Sequence, residues 1–259
     1  MTITLIGAGN VGYHLGKRFF KKEIIVRQVY SRQLQNAQFL AKKIKAAPIH
    51  KLSAVDAKSD LYVIAVKDDA IASVAKALSK NKGMKGKLVV HTSGAATSET
   101  IATYFSKFGV FYPLQSFSKT RKIRFANIPI CVDAGKSNDL KKLHKLGGLI
   151  SNTVATINDK ERAILHVAAV IVNNFTNHLF HLGQQITTTE QIDFDLLKPL
   201  ITETVLKIAN HSPLDMQTGP ARRQDEKTIK KHLKYLRKFP NYPHLYTLLT
   251  KSIQDAYHR

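Results

Sequence analysis

The stretch "LIGAGNVGYHLG", residues 5–16, carries Gly7, Gly9 and Gly12 in the spacing G-x-G-x-x-G. Three glycines alone say little, so the flanking sequence has to decide what they mean. "TITLIG" before them is a short apolar run ending at the first glycine. "VGYHLGKRFFKK" after them puts Val11, Leu15 and Phe19 on one helical face, with basic residues closing the last turn. A strand that runs into the glycines and a helix that leaves them is the context in which this spacing binds a dinucleotide. Gly7 permits the tight turn, Gly9 lets the backbone approach a pyrophosphate, and Gly12 lets helix and strand pack closely. The N–H groups of the helix start, at Asn10 and beyond, then face the anion with the positive end of the helix dipole.

Working outward, "EIIVRQVYSR" reads as a second strand and "NAQFLAKKIK" as an amphipathic helix. "DLYVIAV" is an apolar strand of the kind buried on both faces, "DDAIASVAKALSK" a helix with acids at its start, and "GKLVVHTSG" a further strand and turn. Strands alternating with helices predict a doubly wound, mostly parallel α/β sheet of the Rossmann type. The choice of dinucleotide rests on the end of the second strand. NAD binders place a carboxylate there for the ribose 2′-hydroxyl, whereas this chain has Ser31 and Arg32. A hydroxyl and a guanidinium suit a 2′-phosphate, so NADP (as NADPH) is favoured; the bland alternative is that Arg32 is a surface residue. Ligands in such sheets bind beyond the carboxyl ends of the strands. That places the loops after Val66 (Lys67, Asp68, Asp69) and after His91 (Thr92, Ser93, Gly94) beside the cofactor. His91 reads more readily as a strand-end core residue, and Ser93 equally as a turn cap or a ligand contact.

From about residue 150 the pattern changes to helices, which predicts two domains, 1–152 for the cofactor and an all-helical 153–259. "TVATINDKERAILHVAAVIVNNFTNHLFHLGQQI" reads as one long helix after Asn158, with Asp159 and Glu161 at its start. It is apolar nearly all round from Ala163 to Phe175, which predicts a buried central helix. Yet it carries His166, Asn173 and Asn177, and offsets of seven and eleven bring these within about 20° on a helical wheel. Such a stripe is either a packing network or dimer contact, or a substrate-binding face. Metal is not expected, since no second histidine lies four residues from His166. "FDLLKPLITETVLKIAN" is a further helix. Another is expected from Pro220, with Arg222, Arg223 and Asp225 at its start, and "PHLYTLLTKSIQDAYH" closes the chain. Arginines at a helix start oppose the dipole, so either an anionic substrate or a buried Arg–Asp pair is expected to hold them.

Composition bounds the rest. The 259 residues suffice for one large or two modest domains, and the single cysteine, Cys131, excludes an internal disulfide and suits a reducing compartment. No leader is recognised at the N-terminus. The apolar run "AILHVAAVIV" is too short to span a bilayer, so a cytoplasmic protein without membrane association is expected. The net charge is +22, and residues 1–130 carry 22 basic against 6 acidic groups. No nucleic-acid motif accompanies them, so a solvated basic surface is preferred over nucleic-acid binding.

The glycine loop, "HTSG", "YPLQSF", "LHVAAVIVNNF", "TGPARRQD" and "TIKKHLKYL", in this order, resemble a bacterial family commonly labelled NADP oxidoreductases. These proteins join a Rossmann-like domain to a helical C-terminal domain of unknown function. They look distantly like pyrroline-5-carboxylate reductase, ketopantoate reductase and the 3-hydroxyacid dehydrogenases. The resemblance covers nearly the whole chain. It implies that Gly7, Gly9 and Gly12 bind the cofactor and that Ser93, Gly94, Pro113, Gln115, His166, Asn174, Arg223 and Asp225 face the cleft. It favours Asn174 where the helical wheel favours Asn173. Tyr112 stands where the family often has His, Gln224 where Gly is common, and Val170 and Ala169 where the dehydrogenases carry a catalytic lysine. That leaves His166 as the titratable candidate for general acid, with Asn174 and Arg223 orienting a small substrate. The resulting expectation is hydride transfer between NADPH and a small, carboxylate-bearing keto or imino compound, in a homodimer. The rivals are a non-catalytic NADP(H) sensor and a nucleic-acid-associated protein.

Overall fold

The computed structural model describes Met1–Tyr257. His258, the last residue of the expected closing helix, lies outside these. The chain packs as two compact units, 1–178 and 179–259. The boundary expected after residue 152 falls before the last strand of the first unit.

The first unit is an eight-stranded sheet in the order β3-β2-β1-β4-β5-β6-β7-β8. Its strands are β1 (Thr2–Ile6), β2 (Ile25–Tyr30), β3 (Ala47–Ile49), β4 (Leu61–Ile64), β5 (Leu88–His91), β6 (Phe108–Pro113), β7 (Ile130–Ala134) and β8 (Val154–Thr156). β1 to β6 run parallel, β7 is antiparallel to β6, and β8 is parallel to β7. Helices α1 (Asn10–Lys21), α2 (Leu34–Ile44), α3 (Ile71–Ser79), α4 (Glu99–Ala102) and α5 (Ser137–Ile150) make the crossovers and flank the sheet. This is the mostly parallel α/β architecture expected of the first half. The central strands are apolar on both faces because both faces are covered: Leu61, Tyr62, Val63 and Ile64 of β4 are fully buried. Two polar residues inside the sheet, Thr4 and Gln28, are satisfied. Thr4 Oγ1 meets Ser59 Oγ at 2.8 Å, and the Gln28 amide donates to the Ala54 carbonyl and accepts from Asp56 N–H.

Helix formation resumes at Asp159 and continues to Thr189, as α6 (Asp159–Ala169), a π-helical turn (Val170–Phe175) and α7 (Thr176–Thr189). The start is fixed by a capping box: Glu161 N–H donates to Asn158 Oδ1 at 2.9 Å, and Asn158 N–H donates to Glu161 Oε2 at 3.0 Å. The expected burial of this helix is overturned. Ile164, Val167 and Val172 are 62, 61 and 70% exposed, and Ile171 and Phe175 are also exposed. Apolar periodicity reports that a face needs cover, and this chain leaves it uncovered. By length and composition the helix could cross a membrane, which a single such helix shows only weakly.

The second unit holds the rest of α7, then α8 (Lys198–Lys207), α9 (Glu226–Leu236) and α10 (Tyr242–Tyr257). The Tyr235 hydroxyl and Lys238 Nζ both donate to Glu190 Oε1, at 2.9 and 2.8 Å. The helix expected from Pro220 starts at Glu226 instead. Asp225 caps it, accepting from Thr228 N–H and Oγ1. The preceding Gln224 has φ +54°, a left-handed conformation that breaks any helix running through it. The arginines therefore precede the helix and do not oppose its dipole. Arg222 donates to the Gln217 carbonyl and lies over the Tyr257 ring.

Candidate functional site

The glycine loop opens α1 at the carboxyl end of β1. A Cβ on Gly7, whose φ is +125°, would lie 2.1 Å from the Ala65 carbonyl oxygen, and one on Gly12 would lie 2.0 Å from the Gly7 oxygen. Both glycines are required by the backbone's own packing. Gly9 differs: nothing lies within 4 Å of its Cβ position. Close approach is therefore kept open there on the solvent side, where a diphosphate would sit. Gly9 caps α1 without a side chain, and the first intrahelical bond is Tyr13 N–H to the Gly9 carbonyl. The N–H groups of Asn10, Val11 and Gly12 precede it and point out of the helix, with no acidic residue in the first turn. These features fit a dinucleotide's pyrophosphate.

Gly7 N–H donates to the Tyr30 carbonyl at 2.8 Å, which sets the end of β2 beside the loop. Ser31 and Arg32 follow directly, Arg32 exposed and no carboxylate beside it. On the other side Val66 lies over the loop, its Cγ1 3.2 Å from the Gly7 Cβ position.

The loop after β5 is held by hydrogen bonds local to itself. Ser93 N–H donates to His91 Nδ1 at 3.1 Å, so His91 Nε2 carries the proton and donates to the Thr97 carbonyl at 3.2 Å. Burial first, and the Arg162 charge second, lower the His91 pKa to about 4. It is a neutral loop organiser, in line with the structural reading of its sequence. Ser93 Oγ accepts from the N–H groups of Ala95 and Ala96, at 3.0 and 2.9 Å, so its side chain shapes the turn.

Gly94 is where three elements meet. A Cβ there would lie 2.7 Å from His166 Nδ1 and 2.9 Å from the Tyr112 hydroxyl. The Tyr112 hydroxyl, at the end of β6, is 3.5 Å from His166 Nδ1. Burial, with the nearby Asp68 carboxylate adding to it, raises the Tyr112 pKa, so the phenol keeps its proton. A phenol and an imidazole thus converge over a glycine at the carboxyl edge of the sheet.

What holds His166 there is a residue the sequence reading passed over. Arg162, one turn earlier on α6, is 1% exposed. Its Nη2 donates to the Ala96 carbonyl at 2.6 Å and pairs with Asp159 Oδ1 at 2.5 Å. Asp159 in turn accepts from Ser98 N–H and Oγ. The start of α6 is therefore bolted to the loop that carries Gly94. The Asp159, Arg162, His166 spacing of three and four residues was the available signal, because it puts all three on one helical face.

Further along, Asn173, Asn174 and Asn177 line one hollow of about 670 Å³ with Gln115 and the segment Arg121–Arg124. The π turn explains why both Asn173 and Asn174 do so. An i→i+5 turn spreads successive residues by less than the 100° of an α-helix. Arg223 belongs to the second unit, in the turn before α9, where its N–H reaches the Gly219 carbonyl at 3.4 Å.

Comparison with known proteins agrees with this architecture. The Rossmann-like domain family matches residues 1–113, and the domain of unknown function DUF2520 matches residues 128–253. A Bacteroides fragilis protein named "putative NADP oxidoreductase" is 36% identical over 98% of both chains, with a TM-score of 0.91. The chain belongs to this family, in which a Rossmann-like domain precedes DUF2520. An imine reductase from Myxococcus stipitatus, solved with NADP+, is 16% identical, covers 99% of this chain and 94% of its own, and has a TM-score of 0.67. A pyrroline-5-carboxylate reductase from Coxiella burnetii is 14% identical with a TM-score of 0.61, covering 98% of this chain and 96% of its own. At these identities the last two share the fold. A comparison with curated proteins finds no match.

Proposed function

We propose that the protein is an NADP(H)-dependent oxidoreductase that moves hydride between NADPH and a small, carboxylate-bearing keto or imino compound. The observation that carries this reading is the free α1 N-terminus over open Gly9, flanked by Ser31–Arg32 and followed by the Tyr112–His166 pair over Gly94. The names of the similar reductases support it. Gly7, Gly9, Asn10 and Gly12 hold the pyrophosphate. Ser31 and Arg32 take the 2′-phosphate, and Val66, Ser93 and Gly94 border the remainder of the cofactor. NADPH, when bound, supplies the hydride to the substrate carbon. His166 supplies the proton to the carbonyl oxygen or imine nitrogen, with the Tyr112 hydroxyl in line behind it. Asn174 orients the substrate.

Calorimetric titration with NADPH and NADH, repeated on Arg32→Ala, tests the cofactor assignment. NADPH is expected to bind at least about tenfold tighter than NADH, with the preference lost in the variant, since a charged hydrogen bond contributes about 1.5–3 kcal/mol. Binding of neither nucleotide would remove the reading and leave an interaction protein.

The working form we propose is a cytoplasmic homodimer. Ile164, Val167, Ile171, Val172 and Phe175 stand exposed on one helix, and covering the exposed part of each gains about 1–2 kcal/mol. The buried Arg162 and the asparagines on the same helix fit a protein surface better than lipid. A second copy covers the face in a closed assembly. Light scattering should give twice 29.0 kDa, and Val172→Asp should halve it. A monomeric wild type would refute the dimer.

A further inference from the structure

The chain has no carboxylate from Met1 to Lys22 and none from Thr100 to Val132. The fold lays these two acid-free segments against each other. His14 Nε2 on α1 meets the Ser118 carbonyl at 2.8 Å, and the Arg18 guanidinium lies over the Phe125 ring. The loop between β6 and β7 is further ordered by stacking of Phe117 on Phe125, by Ser118 Oγ against Thr120 Oγ1, and by Arg121 N–H to the Ser118 carbonyl. The ordered loop presents Arg121, Lys122 and Arg124 as the shared wall of two hollows. One, of about 500 Å³, faces α1 with Lys17, Lys21 and Lys119 on its rim. The other, of about 670 Å³, is the hollow of Gln115, Asn173 and Asn174 described above. None of Arg121, Lys122 and Arg124 forms an ion pair among the described residues.

We propose that this wall binds a phosphate group of the substrate, so that the oxidoreductase acts on a phosphorylated keto or imino compound; this rests on the function proposed above. Position supports it. The hollow begins three residues beyond Tyr112 and two turns beyond His166, at the same edge of the sheet. Its asparagine and glutamine amides suit a polar substrate body, and its cationic end suits a terminal anion. Charge supports phosphate over carboxylate. Two guanidiniums and an ammonium within four residues call for several negative charges on one compact group. A phosphate carries about −1.5 to −2 with three acceptor oxygens, against one charge for a carboxylate. The site is separate from Arg32, which lies beyond β2 on the other side of β1.

The test uses the full chain saturated with NADPH, so that the glycine loop is filled, titrated with inorganic pyrophosphate, succinate and a short oligothymidylate. The variant is Arg121→Ala/Lys122→Ala/Arg124→Ala. The control is Lys87→Ala/Lys107→Ala, which removes charge at the opposite end of the sheet strands. Pyrophosphate is expected to bind at least about tenfold tighter than succinate, to lose that affinity in the triple variant only, and to leave NADPH affinity unchanged in both. Succinate binding as tightly as pyrophosphate, or indifference to the triple variant, would overturn the phosphate site. Oligothymidylate binding far tighter than pyrophosphate, and falling steeply with salt, would replace it with a nucleic-acid surface. Failure of NADPH itself to bind removes the oxidoreductase reading. NADPH binding without a pyrophosphate site removes only the present inference.

Discussion

The glycine loop and the long helix Asp159–Thr189 meet their surroundings in opposite ways. The loop is defined by what its residues lack: at Gly7 and Gly12 there is no room for a Cβ, and at Gly9 the space is open. The helix is defined by a surplus. It carries more apolar surface than its own chain covers, while Asp159 and Arg162 bolt its start to the Gly94 loop and Asn173, Asn174 and Asn177 line one hollow. One region is packed within the chain and leaves open the face where we propose the cofactor. The other leaves an apolar face exposed, which we propose a second copy covers.

That contrast can be broken first at the glycines. Gly7→Ala meets a carbonyl at 2.1 Å with a backbone φ of +125°, so unfolding stability should fall by at least about 3 kcal/mol. Gly9→Ala meets nothing, so stability should change by less than about 0.5 kcal/mol while NADPH affinity drops. Urea midpoints and NADPH titrations on the two variants read both. Equal stability losses would mean that Gly9 is as structural as its neighbour.

A smaller effect probes the loop to which the helix is bolted. His91 is neutral in the fold, its pKa lowered to about 4, while the unfolded chain titrates near 6.5. Between those values the unfolded state binds the extra proton. Stability is therefore full above about pH 6.5 and is lost as pH falls towards 4. The difference between pH 7 and pH 5 amounts to about 2 kcal/mol for this group. His91→Gln should flatten that part of the profile. An unchanged slope would place the acid sensitivity elsewhere.

The smallest effect lies in the second unit. Gln224 holds a left-handed backbone at φ +54°, so Gln224→Gly should raise stability by about 1 kcal/mol, read as an upward shift of the thermal midpoint. A destabilised variant would mean that the Gln224 side chain makes up for its backbone. The same angle gives the family's common glycine at this position a physical reason.

Much of the site was legible in these residues because it depends on local rules. A strand–glycine–helix junction, a strand end without a carboxylate and the capping box at Asn158 are short-range features that physics ties to a conformation. His91 as a structural residue followed from its place at the end of an apolar strand. The Asp159, Arg162, His166 spacing marks a shared helical face but not its burial, and Arg162 was missed for that reason; its 1% exposure comes from a loop more than 60 residues away. The helix expected from Pro220 failed because a left-handed residue can interrupt a pattern that reads as continuous.

By itself, then, the sequence determined the alternation of strands and helices, the place of the phosphate-binding turn and the long helix, since hydrophobic period and capping are written along the chain. Only the tertiary structure decided that Tyr112 and His166 meet over Gly94, that a π turn brings Asn173 and Asn174 to one hollow, and that two acid-free segments join into one cationic wall. Those are contacts between residues far apart in the chain. They depend on crossover geometry and helix register, which no local pattern encodes.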